Sequence, residues 1–319
     1  MASRHRWEYI FRFRWNFYHW VGLLRQAVAW KNSISAHASR PLLYSYWFND
    51  TASALVMAKK MGMTATLKTR VHLYDFEEEF HPRGYIPFRY SEIKSVDAIV
   101  PISDYAYNYI RDQHPRANLT RVHRLGVTSC PASIQPSGSP LVLVSCSSLS
   151  HYKRPLLLVD LIAHFTQPVV WHHFGSGSME KEFLEKTAQL PDHIHFHYHG
   201  HVSNPEIYRF YENHPVHALI NVSDFEGIPV SIMEAMAFGI PVVACDICGI
   251  PEIVNQKTGM LLEKKFNPAI EAEKICTWLS DFQQRESERG EIQQFQRINY
   301  NAELNYPRFM FELKGYEKN

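Results

Sequence analysis

The sequence is poor in cysteine. Its 319 residues include five, with no regular spacing: Cys130, Cys146, Cys245, Cys248 and Cys276. An odd count of this kind argues against the disulfide framework of a small secreted domain. No basic start followed by an apolar run and a small-residue cleavage site precedes them. We therefore expect a reducing, cytoplasmic location and free thiols, including the closely spaced pair Cys245 and Cys248.

Long apolar runs and a strong net charge are also missing. In the aromatic amino-terminal segment, the run Trp15 to Leu24 is about half of what a bilayer-spanning helix requires, so no transmembrane helix is expected there. A net charge of +1 gives no overall attraction to nucleic acid. The remaining composition is that of a soluble globular protein, and 319 residues are enough for two domains.

What the amino end does have is basic and aromatic side chains. Residues 1–40 hold seven basic residues against the single acid Glu8. From Trp7 to Trp20 the aromatic spacing fits both a strand and a helix. Such a segment suits the headgroup region of an anionic membrane, where each basic residue contributes about 1 kcal/mol. We predict peripheral membrane contact through residues 1–31; the alternative is an element packed on the body with its arginines in water.

Two series of βα units follow this segment. In the first, residues 41–127, the pattern predicts strands at 42–47, 64–71, 96–101 and 120–125, with helices at 51–60 and 105–111. Residues 128–140 are rich in Ser and Pro and are predicted to be a linker. The second domain, 141–298, begins with strands at 141–146 and 169–174, and its polar run 283–296 predicts a surface helix. Residues 299–319 are predicted to be a helix that returns toward the amino-terminal domain.

Two patterns in the second domain suggest other kinds of site. Gly175-Ser176-Gly177 lacks the third glycine and the downstream acid of a dinucleotide fingerprint, which argues against a dehydrogenase. Five histidines alternate from His193 to His201 and therefore share one face of a strand. With no carboxylate or cysteine between them, an exposed histidine face is favoured over a metal site. We predict no metal site.

The most informative stretch runs from Ser223 to Val254. Gly227 and Pro229 mark a tight turn, and Pro229 is predicted to be the first residue of a helix that Gly239 ends. The bare N–H groups of Gly227, Ile228 and Val230 at this helix start suit an anion such as a diphosphate. Two carboxylates, Glu226 and Glu234, stand seven residues apart, where each would accept hydrogen bonds from sugar or ribose hydroxyls.

This block, with EAMAFGIPVVA and GIPEIV following the first glutamate, resembles the donor site of retaining GT-B glycosyltransferases of the GT4 type, the glycosyl transferases group 1. The resemblance implies an α/β fold of two Rossmann-like domains facing a central cleft. Such proteins usually have more strands in the amino domain, so the amino domain here is expected to be shortened.

The resemblance also implies roles for named residues. Lys153 in SSLSHYKRP matches the lysine that holds the donor diphosphate. Ser148 stands where an arginine often assists that lysine, and Arg154 is close enough in sequence to contribute instead. His72 matches a histidine that contacts the transferred sugar, and Asp75 follows it on the acceptor side. Glu226 would orient the sugar and Glu234 would bind the ribose.

The expected reaction is transfer of a hexosyl unit from a nucleoside-diphosphate sugar to a saccharide or lipid-linked hydroxyl, with retention and without a metal or other cofactor. Surface polysaccharide or glycolipid biosynthesis is the expected setting. Two alternatives stay open: a non-catalytic GT-B-like partner subunit that binds a nucleotide sugar, and a GT-B nucleotide-sugar epimerase.

Overall fold

The computed structural model describes residues 13–35, 40–81, 84–86, 88–283 and 288–315. The chain divides into two compact units, Met1–His123 and Arg124–Asn319. The part of the aromatic segment from Trp7 to Arg12 lies outside the described residues.

The first unit is an α/β layer. Its described helices and strands are α1 (Phe13–Ser35), β1 (Leu42–Ser45), α2 (Asp50–Lys60), β2 (Thr66–Val71), α3 (Arg89–Ile93), β3 (Ala98–Pro101) and α4 (Asp104–Gln113). The three strands are parallel, in the order β1-β2-β3. Two helix starts follow sequence signals: Asn49 accepts a hydrogen bond from the N–H of Thr51, and Ser103 accepts one from Ala106.

The sequence left open whether the amino-terminal segment is a strand or a helix. Residues 13–35 form a helix, which packs against α2 and buries Leu23 and Ala27, one turn apart. Tyr18 and Trp20 stay exposed. None of the described helices combines the length and apolar character needed to cross a bilayer.

The predicted strand at 120–125 is wrong. These residues run beside β3 and make single contacts with it: the N–H of Thr120 donates to the carbonyl of Ile99, and that of His123 donates to Pro101. An isolated bridge joins Ile99 to Leu119. The segment therefore follows the sheet edge without the regular ladder that defines a strand.

The second unit is a larger doubly wound layer. Its described strands are β4 (Leu141–Cys146), β5 (Val169–Phe174), β6 (Ile194–Gly200), β7 (Ala218–Asn221), β8 (Val242–Cys245) and β9 (Gly259–Leu262). Its described helices are α5 (Pro155–Ala163), α6 (Glu180–Thr187), α7 (Asn204–Asn213), α8 (Val230–Ala237), α9 (Pro268–Gln283), α10 (Glu288–Asn299) and α11 (Ala302–Gly315). All pairings are parallel, in the order β6-β5-β4-β7-β8-β9.

The core of this unit follows from continuous apolar strands. All four residues of β7 and all four of β8 are buried, as expected where helices cover both faces of a parallel sheet. From β4 the chain adds strands toward one edge of the sheet, and from β7 it adds them toward the other, so the strand order reverses between β4 and β7. Ligands of such folds bind beyond the carboxyl ends of the strands at this reversal.

Helix α10 corrects the prediction of a plain surface helix. Three of its polar side chains are buried and donate to backbone or hydroxyl oxygens. Gln296 donates to the carbonyls of Val127 and Tyr300, and Gln293 donates to that of Ala237. Arg289 donates to Val216 and to the hydroxyl of Ser133. The polar composition therefore serves to pair backbone carbonyls inside the unit.

Candidate functional site

The loops that follow β4 and β7 meet at the point where the strand order reverses. The β4 loop ends in a 3-10 turn, His151–Lys153, and the β7 loop carries Glu226. They are joined through the backbone, since the N–H of Asp224 donates to the carbonyl of Tyr152 at 2.7 Å. The sheet topology therefore brings together two residues, Lys153 and Glu226, that are 73 positions apart in sequence.

Glycines in the β5 loop set the path of the β4 loop. Gly175 has a φ of +129°, and a Cβ there would lie 1.9 Å from the carbonyl oxygen of Ser147. At Gly177 a Cβ would lie 2.5 Å from the carbonyl oxygen of Leu149. The N–H of Leu149 donates to the carbonyl of Ser176. Backbone therefore packs directly on backbone here, which only glycine permits.

Lys153 and Glu226 form a direct ion pair. The Lys153 ammonium donates to Glu226 Oε1, and the hydroxyl of Ser223 donates to the same oxygen at 3.0 Å. Both charged side chains are mostly buried, with 18% and 12% of their surface exposed. A lysine has three N–H donors, so this pair leaves the ammonium further capacity to donate to an anion.

Arg154 is occupied by backbone carbonyls. Its guanidinium donates to Val222, Ser223 and Lys264, at 2.5, 3.1 and 2.6 Å, and to the Cys245 sulfur at 3.0 Å. Its own backbone is left-handed, with a φ of 49°. Arg154 therefore holds the loop that carries Glu226, and its guanidinium is turned toward protein rather than toward open space.

The turn before α8 leads into the predicted helix, with one correction to where that helix begins. Pro229 is the N-cap residue rather than the first helical residue, because α8 begins at Val230. The carbonyl of Pro229 accepts hydrogen bonds from Ile232 and Met233. The N–H groups of Val230 and Ser231 precede those first intrahelical donors, so they have no intrahelical acceptor. The helix dipole adds partial positive charge at the same point.

Gly227 and Ile228 complete this turn. A Cβ at Gly249 would lie 2.5 Å from the carbonyl oxygen of Gly227, so the loop after β8 packs closely behind it. Ile228 is buried and Gly227 is half-buried. The loop after β8 therefore packs against this turn and holds its backbone in place.

Glu234 lies on α8, with 4% of its surface exposed. The amide of Asn204, at the start of α7, donates to Glu234 Oε1 at 2.7 Å. Burial raises the pKa of the Glu234 carboxyl to about 7, against the opposing effect of the Asn204 hydrogen bond. Asn204 also lines a cavity of about 440 Å³ with Pro205, Tyr208, Arg209 and Glu212.

In the first unit, His72 and Asp75 lie just beyond the carboxyl end of β2. Asp75 is buried, and its carboxylate accepts hydrogen bonds from the N–H groups of Phe48, His72 and Leu73. Burial alone would raise the pKa of Asp75, but the His72 ring and these N–H groups outweigh it and lower the pKa. Asp75 therefore ties the ends of β1 and β2 together.

His72 is 7% exposed, beneath the rings of Tyr46 and Trp47. Its Nδ1 lies 3.8 Å from Asp75 Oδ2, which is too long for a hydrogen bond.

The histidine strand presents the predicted alternation. His195, His197 and His199 are exposed on β6, whereas Ile194 is buried and Phe196 half-buried. His199 and His197 stack on His172 of β5. Within the described residues, no group of three or more His, Cys, Asp or Glu side chains has a metal-binding arrangement. The five cysteines are free thiols.

The sequence analysis did not predict three residues that contact the candidate site residues. Ser223 and Asn204 are identified by their hydrogen bonds to Glu226 and Glu234. One usable signal for Asn204 was present, since Ser203 and Glu206 form a capping box that marks the start of α7. Trp47, whose ring lies against that of His72 at an interplanar angle of 35°, is at the end of a predicted strand and belongs to no sequence motif.

The class of protein is defined by fold and comparison together. The fold is GT-B, with mixed α/β units and parallel sheets shared with solved glycosyltransferases. Residues 131–293, just over half of the chain, match the family described as glycosyl transferases group 1. The chain belongs to this family.

Individual similarities agree with this assignment. WcaL of Salmonella typhimurium, a protein named for colanic acid biosynthesis, is 26% identical over 268 residues, covering 79% of this chain and 64% of WcaL. This chain therefore spans slightly less than two thirds of that relative.

Two solved structures share the fold. The lipopolysaccharide outer core galactosyltransferase WaaB has a TM-score of 0.72 at 19% identity, covering 93% of this chain and 81% of WaaB. HepE of Anabaena, solved in complex with UDP-glucose, has a TM-score of 0.68 at 18% identity, covering 86% of this chain and 78% of HepE.

Proposed function

We propose that this chain transfers a hexosyl unit from a nucleoside-diphosphate sugar to a hydroxyl acceptor with retention of anomeric configuration. The observation that carries the proposal is the meeting of Lys153, Glu226 and the start of α8 at the strand-order reversal. A cation paired with a carboxylate, on the loop that leads to the bare backbone amides of a helix start, suits a sugar diphosphate, which is anionic at one end and hydroxylated at the other.

Each residue has a role in this proposal. Lys153 and the backbone N–H groups of Gly227, Ile228 and Val230 stabilise the negative charge that grows on the leaving diphosphate, without a metal ion. Glu226 shares its charge with Lys153 and orients sugar hydroxyls. Glu234, with Asn204 fixing its carboxylate, accepts hydrogen bonds from the ribose. Arg154 keeps the Glu226 loop in place.

The residues of the first unit have separate roles. His72 is proposed to contact the transferred sugar, and Asp75 to hold the acceptor-side loop through its backbone hydrogen bonds.

The setting rests on the relatives. WcaL is named for colanic acid biosynthesis, and HepE was solved with UDP-glucose. We propose a nucleotide-sugar donor, a saccharide or lipid-linked acceptor, and a place in surface polysaccharide or glycolipid biosynthesis. A cytoplasmic location with peripheral membrane contact through residues 1–31 belongs to the same proposal, and the exposed Tyr18, Trp20 and Arg25 of α1 are consistent with it.

Donor binding can be tested directly by thermal unfolding against a panel of uridine, guanosine and adenosine diphosphate sugars. A ligand at a hundred times its Kd adds about 2.7 kcal/mol to the free energy of unfolding, which moves the midpoint by several degrees. We expect the diphosphate sugars of one nucleoside to raise the unfolding midpoint of the wild type. Lys153→Ala should lose most of that increase in the midpoint. Lys181, an exposed lysine on α6, provides the control variant Lys181→Ala. If no member of the panel stabilises the wild type, the proposed function is wrong.

A non-catalytic partner subunit is the rival function. It is favoured by the sheet of the first unit, which has three strands among the described residues, and by Ser148 in place of a second cation. Such a protein would bind the donor without consuming it. Release of nucleoside diphosphate by the purified chain separates the two functions. An epimerase would instead convert the donor without any acceptor.

A further inference from the structure

A buried serine, Ser223, contacts the carboxylate of Glu226. The Ser223 hydroxyl donates to Glu226 Oε1 at 3.0 Å, and the Lys153 ammonium donates to the same oxygen. Within the described residues, Glu226 Oε2 accepts no hydrogen bond from the protein. Both protein donors therefore hold one oxygen of the carboxylate and leave the other for a ligand hydroxyl.

The backbone of Ser223 is fixed on both sides. Its N–H donates to the side-chain carbonyl of Asn221, the last residue of β7, at 3.0 Å. Its own carbonyl accepts a hydrogen bond from the Arg154 guanidinium at 3.1 Å. Only 2% of the Ser223 surface is exposed, so its hydroxyl is not available to a bound substrate. Any effect of this hydroxyl on a reaction must therefore pass through Glu226.

Helix capping does not explain the contact between Ser223 and Glu226. A Ser followed three residues later by Glu has the spacing of a capping box, in which the two side chains bond backbone N–H groups of a new helix. Ser203 and Glu206 have this spacing and do form such a box at the start of α7. Glu226 is followed by a turn instead, and α8 begins only at Val230. The Ser223 hydroxyl therefore serves the carboxylate rather than a helix start.

Lys153 alone does not fix this carboxylate once a donor is bound. In the proposed function its ammonium also stabilises the diphosphate, which competes with Glu226 for the same N–H groups. A lysine side chain is a flexible four-carbon chain, so its position changes readily when an anion binds. The Ser223 hydroxyl is buried, and a diphosphate does not compete for it. A hydrogen bond to a charged acceptor is stronger than one between neutral groups, so this single hydroxyl holds Oε1 effectively.

We propose that Ser223 is a positioning residue for the transfer reaction. Its hydroxyl keeps Glu226 Oε1 in place while Lys153 neutralises the diphosphate, so that Oε2 stays directed at the hydroxyls of the sugar. A misdirected carboxylate lowers the rate rather than the donor affinity, because the diphosphate and the ribose still hold the donor. This inference rests on the proposed function, since it assigns a further residue to the same reaction.

The kinetics of nucleoside diphosphate release, with the donor found by thermal unfolding, test this role. Ser223→Ala should lower kcat about tenfold or more, while the KM for the donor stays within about twofold of the wild-type value. Ser223→Thr restores a hydroxyl and should recover most of the lost rate. Ser280, exposed on α9, gives the control Ser280→Ala, which should turn over like the wild type.

A double-mutant cycle separates positioning from a general structural role. Because Ser223 is proposed to act through Glu226, Ser223→Ala should change the rate by less than about twofold in a Glu226→Gln background. Thermal unfolding with and without the donor shows whether each variant is folded and binds. Where Ser223→Ala or Ser223→Thr does not fold, Ser223→Cys carries the test. Its thiol is a weaker donor and should give a rate below that of the wild type.

The outcomes distinguish this inference from the proposed function. The positioning role is overturned if a folded Ser223→Ala keeps the wild-type kcat, or if it lowers the rate equally in the wild type and in Glu226→Gln. In both cases the wild type still turns over, so the proposed function stands. A wild type that releases no nucleoside diphosphate contradicts the transferase function itself, and the positioning role with it.

Discussion

Charged residues of the candidate site contact one another and the backbone in ways that their sequence spacing does not predict. Lys153 and Glu226 were predicted to bind opposite ends of a donor, and in the structure they bind each other. A diphosphate would therefore share the ammonium with Glu226. Arg154 follows Lys153 directly, yet its left-handed backbone turns its guanidinium to the carbonyls of Val222, Ser223 and Lys264. Adjacent basic residues in a sequence do not reveal this division of roles.

Glu234 yields a prediction of pH dependence. Burial raises its pKa to about 7, so about half of the free protein carries this proton at neutral pH. In the ribose-binding role proposed for Glu234, the ionised carboxylate accepts the hydrogen bonds, so the proton leaves when the donor binds. Donor affinity should therefore rise as pH increases through about 7 and then level off. Below that point the change approaches tenfold per pH unit. Isothermal titration of the stabilising nucleotide sugar between about pH 5.5 and 8 measures this slope.

The matched variant for this prediction is Glu234→Gln. It preserves an acceptor for Asn204 but cannot ionise, so its donor affinity should be lower and nearly flat over the same range. A wild-type affinity that does not change with pH, or a slope that persists in Glu234→Gln, would contradict the ribose role.

At the scale of elements, periodicity predicted most of the parallel strands because buried strands are continuous apolar runs. Strands 141–146 and 169–174 are confirmed to the residue. The strand at 120–125 was wrong because this segment meets β3 only through single backbone hydrogen bonds, from Thr120 and His123. Helix α10 is not the surface element predicted at 283–296, because Gln293 and Gln296 pair with buried carbonyls, which composition cannot show.

The contact between the β4 and β5 loops can be tested by glycine substitution. A methyl group at Gly175 would lie 1.9 Å from the Ser147 carbonyl oxygen, and the residue has a positive φ. Gly175→Ala should therefore lower the free energy of unfolding by about 2–4 kcal/mol and displace the loop that carries Lys153. Urea denaturation followed by circular dichroism measures the change.

Gly290 is the control for that substitution. It lies exposed on α10, with no atom within 4 Å of an added Cβ. Gly290→Ala should be neutral or stabilise by about 0.5 kcal/mol. Equal stabilities for the two variants would show that the fold does not depend on the close approach of the β4 and β5 loops.

At the scale of the whole molecule, the block proposed to bind the donor could be selected from sequence because its residues are contiguous from Ser223 to Val254. The loop carrying Lys153 was located only through its resemblance to a family. The contact between Trp47 and His72 was not predicted, since only the pairing of β1 with β2 brings these two residues together. The division at His123 and Arg124 places the predicted linker 128–140 in the second unit, where Ser133 donates its N–H to Phe238.

The proposed function depends above all on the activation of a nucleotide sugar by Glu226 and Lys153. The most direct test is the rate of nucleoside diphosphate release from the donor found by thermal unfolding. This rate is compared among the wild type, Glu226→Gln and the control Glu185→Gln, at an exposed position of α6. We predict that Glu226→Gln lowers kcat/KM by about a hundredfold or more, while Glu185→Gln stays within about twofold. Turnover by a folded Glu226→Gln variant at the wild-type rate would show that this carboxylate does not take part in the reaction.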